Sequence, residues 1–534
     1  MKRSRILLSW FVSAFMVIAA SAAWAQQEDA DSKLPESFAD PIPLYPAALG
    51  KFTRPISSSN QDAQAYFNQG FQMMYAFAKE DAARSFREAQ KRDPECAICY
   101  WAEAWSWGSY LNGPMGKDEA PHAYAAIQKA LELLEQASPK EKAFIEAMAV
   151  RYLADFDPDE REGEDKAYAE AMRRLSERYP DDLDAKTLYG EALFLMEPRR
   201  GYRDINDPDL QRIHSLFEEV LAVDITHPGA CHLYIHATES TVRPDKAEPC
   251  AEHLGNSIPG ASHINHMPSH TWNVVGRWGD SVRANLQAWH SDQKAAIGEG
   301  LAIYPAHNLH MLLFAASMDG QGAIAIQAGK DYAKRNGNNM YQILTLLRFG
   351  RFDEILRIED PVDSEIGKGM WNFAQGYARL RSGEADFAQL YLARVQSVAE
   401  SSEASFRQHP VKQLLGVVAG ILEGEIQRGA GDLEAAVKSF EAAASLEDGL
   451  EYDEPEPLPF AARHWLGAAL LEAARFEEAE RVYREELDDH PHNGWSLFGL
   501  RAALQAEGKP SEDVEEDFEA SWARSDTWLR GSRF

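Results

Sequence analysis

From Gln61 onward, apolar residues recur at the three- and four-residue spacing of a helix face, and no alternating run is long enough to form a sheet. The pattern predicts paired helices over nearly all of residues 61–534. Gly70, Ala82, Phe86, Ala89 and Pro94 give the plan of one pair. The small residues let two helices approach, the phenylalanine fills the gap between them, and the proline ends the second. Gly467, Ala479, Tyr483 and Pro491 repeat the plan near the far end, and Gly424, Gly431, Ala436, Phe440 and Ala443 repeat it between. Weaker units centre on Gly350-Arg351-Phe352 and on Gly383 with Ala388 and Tyr391. Residues 100–200 read as mostly helical, with an irregular insertion at Asn112-Gly113-Pro114 and an acidic loop from Asp157 to Asp165. Residues 26–60, rich in Pro, Ser and acids, read as an extended leader lying on the first repeat.

These coincident positions resemble the tetratricopeptide family. The resemblance implies an all-α, right-handed superhelical solenoid of antiparallel helix pairs, in which the first helix of each repeat lines a concave groove. Carried onto this chain, it places Phe67 and Phe71, then Trp101 and Trp105, on the groove wall, although ordinary core packing accounts for these aromatics equally well. Later units place His232, His236 and Glu239, then His263, His266, His270 and Asn273, then His307 and His310 on the same wall. The runs from His232 to Glu239, from His266 to His270 and from His307 to His310 also resemble those of exported bacterial tetratricopeptide proteins. That likeness speaks for fold and export and supplies no reaction. The expected organisation is a signal peptide (1–25), an extended leader (26–60), N-terminal repeats with an aromatic groove (61–227), histidine-rich repeats (228–334) and C-terminal repeats (335–534).

The histidines carry the candidate chemistry. Ten of the sixteen lie between His227 and Met318. His232 and His236 are four apart, as are His266 and His270, and the second pair follows the first by 34 residues (266−232 and 270−236). That is one tetratricopeptide period, so both pairs occupy the same face of successive helices. His263 and His266 stand 13 and 10 residues before Gly276, as His307 and His310 do before Gly320. Three adjacent helices therefore aim imidazoles at one place. Such a set suits a transition metal, with Zn or Cu ahead of Fe or Ni. The candidate ligands are His232, His236, His263, His266, His270, His307 and His310. Seven imidazoles exceed what one tetrahedral ion needs, which leaves open two ions, or one ion with spare histidines as acids and bases. Glu239, seven residues after His232, is the candidate catalytic carboxylate, as ligand or proton acceptor. Asn285 takes the slot that Phe86 fills in the first repeat and would orient a histidine from behind. The alternative is a neutral hydrogen-bonding groove for a peptide or a small polar ligand.

Composition narrows the setting. The chain opens with basic Lys2, Arg3 and Arg5, an apolar run from Ile6 to Ala20, and Ala23-Trp24-Ala25, the order of a secretory signal cleaved after Ala25. A periplasmic or secreted protein follows. No later run is apolar for the ~18 residues of a membrane span. A net charge of −30 repels phosphate backbones and anionic lipid, which excludes nucleic acid as a partner and argues against membrane insertion. In an oxidising compartment Cys231 and Cys250, symmetric about the turn near Thr241, are expected to bridge, and Cys96 and Cys99 to be a local bridge or buried small residues. Nucleotide-binding, serine-hydrolase and His-Glu-x-x-His signatures are missing. The function expected is a metal-dependent hydrolase or oxidoreductase, or else a non-catalytic scaffold that binds a peptide or protein in its groove.

Overall fold

Helix follows helix from Gln61–Tyr75 to Glu512–Trp522, and the one sheet among the described residues is a two-residue antiparallel pairing of Ser405–Phe406 with His409–Pro410. The computed structural model describes residues 34–155, 157, 160–198, 201–359 and 364–534. The expected signal segment, its cleavage site and the first part of the leader lie outside the described residues, as does part of the acidic loop. The architecture is an all-α helical repeat in which each helix packs against the next along the chain.

The repeat plan works by close approach. A Cβ on Gly70 would lie 2.6 Å from Phe86 Cε1, and one on Gly424 would lie 2.4 Å from the Phe440 ring, so only glycine lets the paired helices seat these aromatics. Gly190 and Phe217 repeat the arrangement at 2.6 Å, a unit that the sequence pattern showed only as helix. Helix starts are capped: the Asn60 side chain accepts from the Asp62 and Ala63 amides, and Ser138 with Glu141 forms a reciprocal capping box. The helix Pro268–Val274 ends at Gly276, whose φ of +75° lets the chain reverse into the helix Trp278–Ala295.

One apolar core runs from Ile42 to Ile303 and a second from Trp278 to Leu504, so their members interleave along the chain between Trp278 and Ile303. Disulfides join Cys96 to Cys99 and Cys231 to Cys250, the second tying Pro228–Thr238 to Glu248–Leu254. No helix of the described residues is long and apolar enough to cross a membrane.

The leader lies as a strap along the first helix. Without regular structure of its own, its backbone is satisfied by side chains of that helix. The Tyr45, Gly50, Arg54 and Ile56 amides donate to Gln69, Gln72, Asn68 and Gln64, and Gln72 Nε2 donates to the Phe52 carbonyl. Arg54 anchors the strap on Asp182 at 3.1 Å and on Asp184.

Candidate metal centre

The helix Pro228–Thr238 starts at His227, whose Nδ1 accepts from the Ala230 amide while its Nε2 meets Asp184 at 3.2 Å, so this histidine is a cap. Five residues on, the face carrying His232 and His236 begins. Both rings are buried and their Nδ1 positions are committed: His232 donates to the Tyr75 carbonyl at 2.6 Å, and His236 to Glu239 Oε1 at 2.8 Å. That fixes the tautomer that leaves Nε2 with a lone pair.

The next unit is two short helices, Ser262–His266 and Pro268–Val274, broken at Met267–Pro268 because proline has no amide to continue the ladder. His266 and His270 keep their shared face across the break, with Nε2 atoms 3.2 Å apart. His270 Nδ1 donates to Glu239 Oε2 at 2.5 Å and lies 3.3 Å from Glu454 Oε2. His307, on Pro305–Met318, places its ring centroid 4.7 Å from His266 and 5.6 Å from His270. His263 is 1% exposed and makes no hydrogen bond through either ring nitrogen.

The donors fall into groups whose ligand atoms all lie within 4.8 Å of one another: His232, His236 and His263; His266, His270 and His307; and His236, Glu239, His270 and Glu454. Burial, and then the crowding of like rings, holds His263, His266 and His307 well below the ordinary imidazole range. They are neutral donors. Burial works to lower His270 too, but the Glu239 and Glu454 carboxylates outweigh it and hold it at about 10.

A metal fits what is present. Two nitrogens bound to tetrahedral zinc at ~2.0–2.1 Å lie ~3.3–3.4 Å apart, close to the observed His266–His270 separation. A buried polar atom without a partner costs roughly 1–3 kcal/mol, and an ion would satisfy one nitrogen of His263.

Several expected site residues stand elsewhere. His310 stands apart: its ring lies tilted against Tyr341, centroids 4.1 Å apart, and its Nδ1 faces Arg407 at 3.3 Å, outside every donor group. Phe67, Phe71, Trp101 and Trp105 are at most 2% exposed, as the core-packing alternative for them has it. They stack on one another, Phe71 meets Phe52 of the strap at 5.9 Å, and none lines the cavity at the histidines. The strap has turned that stretch of groove into core. Asn273 accepts from Ser281 and lines a second cavity, and Asn285 donates to the Ser281 carbonyl while standing next to His266.

Sequence reasoning missed Glu454 and Arg407. Glu454 lies in the loop between Leu433–Asp448 and Arg463–Glu472, and Arg407 at the turn of the short hairpin. Arg407 donates to the Glu454 and Pro455 carbonyls at 2.9 Å and pairs with Asp453, which pins the loop against His270. The only sequence signal was the acid–proline run Asp453-Glu454-Pro455-Glu456-Pro457, which reads as a loop and points nowhere by itself.

Two cavities flank the centre. One, of about 520 Å³, is lined by His236, His263, His270 and His307 together with Tyr304 and Phe194. The other, of about 850 Å³, lies beyond Glu239, His270 and Glu454 and is rich in carboxylates, among them Glu451, Asp453 and Glu486.

No protein-family model and no curated protein matches the chain. Among solved structures it is similar to human IFIT1 in a dimer with m7Gppp-AAAA (10% identity over 80% of this chain and 90% of that one, TM-score 0.29). It is also similar to the TPR domain of P58(IPK) (11%, 84% and 98%, TM-score 0.20) and to yeast Tom70 (13%, 88% and 93%, TM-score 0.28). At these scores the likeness carries no argument about function, and the helical-repeat assignment stands on this chain's own helix pairing.

Proposed function

We propose that this helical-repeat protein is a metalloprotein whose histidine centre binds a transition metal, Zn or Cu, and acts on a small molecule admitted by the adjoining cavity. The observation that carries the reading is the His266–His270 pair, with Nε2 atoms 3.2 Å apart and the His270 Nδ1 already held by Glu239. With His307 it forms a three-imidazole set, and three protein donors leave one position for water or substrate, the pattern of catalytic rather than structural sites. The cavity of about 520 Å³ falls within the ~300–1,000 Å³ range of small-molecule sites. Bound there, the ion would supply Lewis acidity and an acidified water. Glu239 would orient His236 and His270, and Glu454, which lines the cavity beside His270, would take up or return a proton. Against the peptide-scaffold alternative stands the strap, which already covers the first helix of the solenoid. The two disulfides accord with the expected leader and favour an exported protein in an oxidising compartment.

Metal analysis of full-length protein purified without an affinity tag tests the reading. Stoichiometric Zn or Cu is expected, and it should be lost in the double variant His236→Ala/His270→Ala with helicity nearly intact. Full metal content in that variant, or none of Zn, Cu, Fe or Ni in the unmodified protein, would reassign the cluster to hydrogen-bonded ligand recognition.

A further inference from the structure

We infer that the centre holds two ions, the second on His232, His236 and His263. The inference rests on the metal-centre reading above and adds to it a separate site and a stoichiometry. Each triad is built alike, from two histidines four residues apart and a single histidine from the start of the next unit: His232 and His236 with His263, then His266 and His270, on either side of the Met267–Pro268 break, with His307. The two pairs follow one another at the 34-residue interval, so the array has produced a similar donor set twice.

One ion does not account for six imidazoles. Around a single octahedral ion with bonds of ~2.1 Å, all six nitrogens would lie within ~4.2 Å of one another. Among the described residues no group joins all six; they fall instead into two triads, with the donor atoms of each within 4.8 Å of one another. The triads adjoin, with His236 and His270 ring centroids 5.1 Å apart and those of His263 and His266 also 5.1 Å apart. Glu239 joins them, one oxygen on a ring of each.

The first triad is built as fully as the second. Tyr75 and Glu239 hold the two Nδ1 positions, so both Nε2 lone pairs are set, and His263 brings an imidazole with both nitrogens unbonded. Phe77, in the left-handed region at φ +60°, lays its ring 4.1 Å from His232 and 5.5 Å from His263 and closes that side. A bulky residue held there is strain that the surrounding fold must support. His236, His263, His270 and His307 all line the same cavity, so both ions would face it. Held there by imidazoles, the ions would supply Lewis acidity and an acidified water at the wall of that cavity.

Titration of the metal-free full chain with Cu(II), read as bound ions after dialysis and by electron paramagnetic resonance, tests this. Two ions per chain are expected, with the signal attenuated or split by coupling between neighbouring Cu(II) centres. His232→Gln/His263→Gln should bind one ion and give an isolated-centre spectrum, with the circular dichroism of the parent. One ion per chain in the unmodified protein overturns the two-ion inference and leaves the metal reading standing; none overturns both. Two ions retained in the variant, or two uncoupled centres in the unmodified protein, would move the second ion away from this triad. Should the variant misfold, coupling in the unmodified protein still decides.

Discussion

Glu239 shows how much one residue can hold in place. Its two oxygens accept from His236 and His270, rings of different triads, so a single buried carboxylate sets two tautomers. The sequence suggested a ligand or proton acceptor; the geometry makes it first a positioning residue. A glutamine there keeps the shape but turns an amide N–H₂ toward one of the two Nδ1–H groups. Glu239→Gln should therefore weaken metal binding about 10- to 100-fold with unchanged helicity, measured by competition with a chromophoric chelator. An affinity within twofold of the parent would remove Glu239 from that role. His307 and His310 supply the opposite lesson, since their shared register with His263 and His266 named a helix face but not the neighbours each ring meets, His266 for His307 and Tyr341 for His310.

At the scale of elements, the strap decides what the first repeats are for. Arg54 pairs with Asp184, Tyr75 donates to the same carboxylate at 2.6 Å, and the Tyr75 carbonyl accepts from His232, so the strap is linked to the centre by contiguous bonds. Burial works to raise the Asp184 pKa, but the Arg54 charge and the hydrogen bonds of His227 and Tyr75 outweigh it and hold the carboxyl well below its usual range. The folded value lies below the unfolded one of ~3.9. The pair therefore contributes stability that is present above pH ~3.9 and is lost as pH falls through the folded value. Asp184→Asn should cost about 3–5 kcal/mol at pH 7, since it leaves Arg54 and Tyr75 short of a buried acceptor. Urea midpoints of parent and variant should converge as pH is lowered toward 2. A constant gap across that range would show that the charge of Asp184 contributes nothing.

On the scale of the whole molecule, the centre gathers residues from distant parts of the chain, with Glu454 and Arg407 lining the same cavity as His236, His263, His270 and His307. An ion held as proposed by ligands from three stacked units would bind the folded state, so loading it would stabilise the array. At a free ion concentration of ~100 Kd the gain is about 2.7 kcal/mol, which raises Tm by a few degrees. Differential scanning calorimetry with and without Zn should show this rise, and His236→Ala/His270→Ala should abolish it. An equal rise in that variant would place the stabilising ions at surface carboxylates instead.

Helical periodicity, the glycine–aromatic spacing and the 34-residue histidine interval determined the fold class, the repeat plan and the convergence of imidazoles, because each is a local or single-period property of a regular array. The pairing of Cys231 with Cys250 was legible for the same reason, as two positions symmetric about one turn. Tertiary structure alone decided the rest. It made the Phe67–Trp105 aromatics core by laying an irregular strap over them, it turned His310 toward Arg407, and it brought Glu454 to His270 from a loop 184 residues away (454−270). Those outcomes depend on segments without periodicity and on how the solenoid folds back on itself, and no spacing along the chain encodes a distance across it.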